Sequence, residues 1–228
     1  MSAPQRRTMI RALVLKDWYY MRWSIAAYLT LGAVALILVA SGSEGSFYAG
    51  SVLLVTLLIS LGIHLSMATV VEERTGQTLP FIMSLPISPG DYTTAKVIAN
   101  LGIFLIPWTA LLTGTIAVIA GRAAINDGLI PFAVIILTWI LLSYCMNLAV
   151  ALVSESQAWS IGAMVVGNLA FQAVLYAVSH IPSIALSMKG DVALWPPAAR
   201  LLLLGEIGAI VLLLAFTFHM QGRKTDFV

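Results

Sequence analysis

The chain is short of charge. Of its 228 residues only 10% are Asp, Glu, Lys or Arg, where soluble domains carry roughly a quarter, and 60% are hydrophobic, with a mean hydropathy of +0.97. That deficit excludes an ordinary water-soluble domain and predicts an integral membrane protein. Cysteine is nearly absent too: Cys145 stands alone in an apolar run, so neither a disulfide framework nor a cysteine-based metal site is expected. No G-x-x-x-x-G-K-[ST] loop occurs, so the chain is not expected to be an ATP-hydrolysing enzyme in its own right. Internal repeats, low-complexity runs and a soluble domain are missing as well. A net charge of +2, spread over the ends of apolar runs, makes no stripe for nucleic acid. No cleavable signal is visible, because the first apolar run follows a basic, aromatic-rich segment and is long enough to span.

What is present is a series of long apolar runs. A bilayer core of about 30 Å needs about 20 helical residues, and six stretches qualify, roughly 23–41, 47–71, 96–120, 129–153, 158–180 and 198–219. The expected fold is therefore all-α: a polytopic membrane protein of six transmembrane helices. An even number of spans puts both ends on one side. That side collects Arg6, Arg7, Arg11, Lys16, Arg22, Arg74, Lys96, Arg223 and Lys224, nine of the twelve basic residues, and the positive-inside rule makes it cytoplasmic. Short Gly/Ser turns at Ser41 to Ser46 and Gly121 to Gly128 make spans one and two, and three and four, antiparallel neighbours. The third outer connection, 181–197, is longer and broken by Pro182, Gly190 and Pro196-Pro197, which suits short helices dipping back toward the membrane.

Residues 1–22 group Met9, Ile10, Leu13, Val14 and Tyr20 on one helical face, and Asp17 falls on that apolar face. A charge there sits at the headgroups or is paired, and pairing with a basic residue of a neighbouring element is the favoured expectation. Trp18, Tyr19, Tyr20 and Trp23 make an aromatic belt. Between spans two and three lies the one long polar interruption, Glu72 to Lys96. Within it Thr78 can cap a short helix of Leu79, Phe81, Ile82, Met83 and Leu85 with Pro80 in its first turn, ended by Pro86. Ser88, Pro89 and Asp91 then supply an N-cap, a first-turn proline and the reciprocal acid of a capping box, opening a helix that runs into span three. A short helix exposing these apolar side chains suits either a soluble partner with a groove or a place on the headgroups.

Several polar residues lie inside spans. Asn168, Gln172, Tyr176 and His180 follow at i, i+4 steps on one face of span five. They read as interhelical hydrogen-bonding groups or as the lining of a pathway between two chains. Glu206, between Gly205 and Gly208 in span six, is expected to face protein rather than lipid, because a carboxylate at that depth costs a few kcal/mol. It serves as a structural pair or as a functional group near the outer mouth. His64 reads as a hydrogen-bonded structural histidine, and Pro107 as a kink in span three. Tyr144 and Asn147 add polarity to span four without a recognisable motif.

The order of these features resembles the ABC-2-type transporter permeases. The match rests on Leu13-Val14-Leu15-Lys16-Asp17 with Arg22, on Glu72-Glu73-Arg74, on Ser84-Leu85-Pro86-Ile87-Ser88 before Lys96, and on the tail Lys224-Thr225-Asp226-Phe227. Layout is similar over the whole chain, motif over about a fifth of it. In size it resembles small permeases of peptide and toxin exporters such as the phenol-soluble modulin exporters. The resemblance implies an amphipathic elbow helix at 1–22 with Lys16, Asp17 and Arg22, and a cytoplasmic coupling loop at 72–95 that docks on a separate ATPase through Leu79, Phe81, Ile82, Met83, Leu85, Glu72 and Glu73. Glu155, in the tight turn Ser154 to Gln157, would add a smaller contact, and 181–197 would be an extracellular re-entrant segment. It further implies a second permease copy or homologue, a bacterial cytoplasmic membrane, ATP and Mg held only by the partner ATPase, and export of an amphipathic or hydrophobic cargo. A rival reading compares Glu72, Glu73 and His64 with the paired glutamates of the CAAX-protease-like family. Here, however, E-E-R stands in place of E-E-x-x-x-R, and the later paired histidines are missing. A membrane scaffold without an ATPase is the third reading.

Overall fold

The structure, a computed structural model, describes residues 3–76, 88–154 and 156–222. The described residues are almost entirely helical and contain no strand. The helices are α1 (Ala3–Ala40), α2 (Glu44–Ser66), α3 (Glu72–Thr75), α4 (Pro89–Gly121), α5 (Leu129–Ser154), α6 (Gln157–His180), α7 (Pro182–Ser187) and α8 (Pro197–Gly222), with a π-helical turn, Met67–Val71, joining α2 to α3. Six of these segments are long and apolar enough to cross a membrane. Their surfaces agree with that use. On α8 the side chains turned outward include Leu201, Leu204, Val211, Leu212 and Phe216, with His219 exposed near the end of the helix, while Glu206, Thr217 and Gln221 are buried. An apolar exterior over a partly polar interior is stable in lipid and would aggregate in water.

Helix α5 is the centre of the bundle. It has no polar face to spare, as expected of a helix covered on several sides, and it packs against α2, α4, α6 and α8. Helix α1 lies against α2 and α4. At Gly50 the α1 and α2 backbones approach so closely that a Cβ would come within 2.7 Å of the Ala35 carbonyl oxygen and the Val39 nitrogen. The main core gathers Met21, Ile25, Leu58, Leu61, Leu65, Phe104, Ile140 and Leu148.

Two boundaries differ from the expected layout. No separate elbow precedes span one: α1 is one helix of 38 residues, about 57 Å at 1.5 Å per residue. Nothing in the sequence interrupts it, since no Gly or Pro falls between residues 5 and 31. The exposed belt of Trp18, Tyr19, Tyr20 and Trp23 sits part-way along it, leaving a remainder of about 30 Å to Ala40. In the first turns of α1, ahead of that belt, Leu13, with Ile10 and Val14 beside it, packs on Tyr92 and Ala95 of α4. Helix α4 likewise starts ahead of its apolar run, at Pro89, and continues through Pro107. Its start follows the predicted chemistry: the Ser88 side chain accepts from the Asp91 N–H at 3.2 Å, and the Asp91 carboxylate accepts from the Ser88 N–H.

At the far end, where α1 finishes, the connection 181–197 contributes the short helix α7. Its Ile184 is fully buried with Ile135, Val178 and Ala199, so α7 seals the ends of α5, α6 and α8. Gly128 makes this closure possible. Its N–H donates to the Gly190 carbonyl at 3.0 Å, and a Cβ there would collide with the Ser187 carbonyl oxygen.

Candidate functional site

Charge is scarce in this chain, yet much of it converges on one place. Lys96 of α4 is completely buried. A buried ammonium is tolerated only with full compensation, and Lys96 has it: Nζ lies 2.8 Å from Asp17 Oδ2 on α1 and 2.7 Å from Glu73 Oε1 on α3. Lys16, half-exposed, pairs with Glu73 and lies 3.5 Å from Asp17. Among the described residues two cations therefore meet two anions. The other Glu73 oxygen accepts from the Tyr92 hydroxyl at 3.0 Å, and Arg6 pairs with Asp91 one turn of α4 earlier. Burial pushes the Glu73 carboxyl up, but Lys96 and Lys16 outweigh it and hold it below its ordinary value. The pairing expected for Asp17 is thus present, with Lys96 as its partner.

The cluster brackets one segment of the chain. Glu73 stands just before the segment 77–87, and Asp91, Tyr92 and Lys96 stand just after it. Both feet of that segment are tied to α1 by ion pairs. Of the residues expected to couple to an ATPase, Leu79, Phe81, Ile82, Met83 and Leu85, with the proposed cap Thr78, lie outside the described residues, as does Glu155. Glu72 is exposed, whereas its neighbour Glu73 is turned into the cluster. Arg22 stands apart, over the Tyr19 ring at 3.8 Å.

From the cluster a polar layer continues deeper. Asn100, one turn past Lys96, donates from Nδ2 to the Lys96 carbonyl at 3.0 Å. Its Oδ1 accepts from the Thr69 hydroxyl at 2.9 Å and from the Tyr144 hydroxyl at 3.3 Å. Thr69 belongs to the π-helical turn, where the Glu72 N–H reaches back five residues to the Met67 carbonyl; such turns inside helices are frequent at functional sites. The Tyr144 ring stacks on Phe104 with centroids 4.0 Å apart. Beyond Tyr144 a small cleft of about 20 Å³ opens between α2, α5 and α6, lined in part by Gly62, Asn147, Gly167 and Asn168.

Among the described residues no hydrogen bond joins the polar face of α6 to another helix. Asn168, Gln172, Tyr176 and His180 are all exposed on this chain. Asn168 donates to its own helix at the Met164 carbonyl, 3.0 Å, and Tyr176 stacks with His180 at 4.0 Å. Glu206 is 5% exposed and faces inward as expected, its Oε2 without a hydrogen-bond partner among the described residues. His64 departs from expectation. It is exposed and its ring lies 6.1 Å from Tyr28, with no hydrogen bond recorded among the described residues.

The fold and this site define a class, a polytopic all-helical protein with six potential membrane spans and a buried ion cluster at one end. No family model matches the chain, and no curated protein or solved structure is detectably similar to it.

Proposed function

We propose that the chain is the membrane-spanning permease subunit of an ATP-driven exporter, moving an amphipathic or hydrophobic cargo and powered by a separate ATPase. In this reading the chain lies in a bacterial cytoplasmic membrane with both termini inside, and two copies, or two homologous chains, enclose the pathway. The ATPase binds the segment 77–87 through Phe81, Ile82 and their apolar neighbours. One observation supports the reading: both feet of that segment are tied to α1, Lys96 by a buried pair with Asp17 and Glu73 by a pair with the half-exposed Lys16. A loop that merely joined two spans would not require a buried lysine shared by two carboxylates, an arrangement that costs several kcal/mol of desolvation per ion before it is repaid. A loop that must transmit force from a soluble motor to the spans does require rigid feet. The exposed polar face of α6 suits the second part of the reading, since it is left for a partner chain or a wet path.

The test is copurification. A tagged chain extracted from its native membrane in mild detergent should bring down a Walker-A ATPase. Replacing Phe81 and Ile82 with Asp should abolish that partner while the permease still inserts. An unchanged yield of complex would remove the docking claim.

A further inference from the structure

Two cations of α1, Arg6 and Lys16, are turned to α4 and α3 by carboxylate partners. Arg22 is different: it is exposed, and among the described residues it enters no ion pair and no hydrogen bond to an acceptor. It is held all the same. Its guanidinium carbon lies 3.8 Å from the centroid of the Tyr19 ring and 5.5 Å from that of Trp23, within the reach of cation–π attraction. A guanidinium seated on a ring keeps its planar fork of N–H donors in place, and that fork matches the paired oxygens of a phosphate. Tyr19 and Trp23 belong to the exposed aromatic belt, and such belts lie at the level of the lipid headgroups. From Arg22 to Ala40, the end of α1, is about 27 Å at 1.5 Å per residue, close to the thickness of a bilayer core. Asp17 is the only acidic residue of α1, and it is buried against Lys96. Helix α1 therefore has no carboxylate to receive an ammonium beside Arg22, where a second cation is repelled.

We infer that Arg22, seated on Tyr19 and Trp23, is a binding site for the phosphodiester of an anionic phospholipid, a lipid whose head carries no ammonium, such as phosphatidylglycerol. The two unesterified oxygens of the phosphodiester accept from the guanidinium N–H groups. The uncharged glycerol of the head stands where a zwitterionic lipid would bring its cation. The acyl chains follow α1 into the bilayer past Ala26 and toward Ile37, which are exposed on the same side of the helix. The inference needs the spans to lie in a bilayer and holds whether or not the chain couples to an ATPase.

The experiment titrates the full chain, purified in mild detergent, with dioleoyl phosphatidylglycerol or, as a control with the same acyl chains, dioleoyl phosphatidylcholine. The lipid-bound fraction of the intact protein is read by native mass spectrometry. The first phosphatidylglycerol is expected to bind at least about tenfold more tightly than phosphatidylcholine, the worth of one charge-assisted hydrogen bond. Arg22→Gln should bring the two lipids to the same level. Arg22→Lys keeps the charge but loses the planar fork, and Tyr19→Leu keeps the fork but loses the ring beneath it, so both should lose most of the preference. Arg11, exposed on the same face but about 16 Å back along the helix, lies beyond a Debye length, and Arg11→Gln should leave the preference unchanged. Should Arg22→Gln fail to give a monodisperse protein, the wild-type preference and Tyr19→Leu decide. Equal binding of the two lipids by the wild type would overturn the inference. So would equal losses from Arg11→Gln and Arg22→Gln, which mark a diffuse basic surface, or an Arg22→Lys protein that binds like wild type. Displacement of phosphatidylglycerol by an equal concentration of soluble glycerol phosphate would assign the site to free phosphate and overturn the lipid assignment.

Discussion

Replacing Lys96 with Met removes a fully buried charge and leaves its volume nearly filled. Asp17 and Glu73, 2% and 8% exposed, then lose the cation they share, and the half-exposed Lys16 is the described cation still paired with both. Breaking a buried pair by deleting one partner costs about 3–5 kcal/mol, which for a chain of this length corresponds to a fall in Tm on the order of 10 °C. The loss should be coupled to its partners. Adding Asp17→Asn removes the surplus negative charge and leaves Lys16 with Glu73, so the double variant should recover part of the stability, with a coupling of about 1–3 kcal/mol. The assay is thermal unfolding of the detergent-purified chain, followed as loss of the monodisperse peak. A Lys96→Met protein as stable as wild type, or an Asp17→Asn change that adds its full cost on top, would refute the view that these charges form one neutral, mutually dependent cluster.

The remaining predictions follow from burial and charge. Glu73 is held below its ordinary value in the folded protein, so its stabilising contribution is complete above the ordinary glutamate pKa of about 4.3 and is lost as pH falls through the lower folded value. The Tm gap between wild type and Glu73→Gln should therefore stay constant from pH 8 to pH 5 and close below about pH 4; a gap that closes by pH 6 would contradict the sign. Glu206→Leu should raise stability by about 1–3 kcal/mol, because it removes a buried oxygen, Oε2, that has no hydrogen-bond partner among the described residues, and a clear destabilisation would reveal a partner holding it. Replacing Asn168 and Gln172 with Leu should leave Tm nearly unchanged, since both are exposed on the chain, while lowering cargo-stimulated ATPase activity. A large loss of stability with the cargo response intact would assign the stripe to helix packing. Gly50→Leu should prevent folding, because α1 backbone atoms occupy the space.

Local rules carried far into the fold. The six apolar runs are helices, the Ser88–Asp91 capping box is present, and the charge on the apolar face of the N-terminal helix is paired, because caps and desolvation act over a few residues or on one side chain. The continuous α1 was legible in principle, since no Gly or Pro breaks it, but the analogy with an elbow drew attention to a boundary that no residue there enforces. The ion cluster was only half visible. Asp17 announced that it needed a cation, yet which one depends on tertiary packing that brings residue 96 beside residue 17. A signal was nevertheless available. Tyr92, Lys96 and Asn100 follow at i, i+4 steps, the same polar spacing that made Asn168, Gln172 and Tyr176 conspicuous, and Thr69 and Glu73 repeat it on the facing element. Lys96 at the mouth of an apolar span looks like an ordinary interfacial lysine until its whole face is considered. Tyr144 and Asn147 were noticed for their polarity, but their partners come from other helices and no pattern within one helix reveals them.

The central claim, that residues 77–87 receive a soluble ATPase, is tested most directly by placing the photocrosslinking residue p-benzoylphenylalanine at Phe81 or at Ile82 in living cells, with Ile98, exposed on the apolar surface of α4, as control. Irradiation should give an adduct to a Walker-A ATPase from positions 81 and 82 and none from 98. Adducts only to lipid, or no adduct to an ATPase from either loop position while the protein is folded in the membrane, would contradict the account.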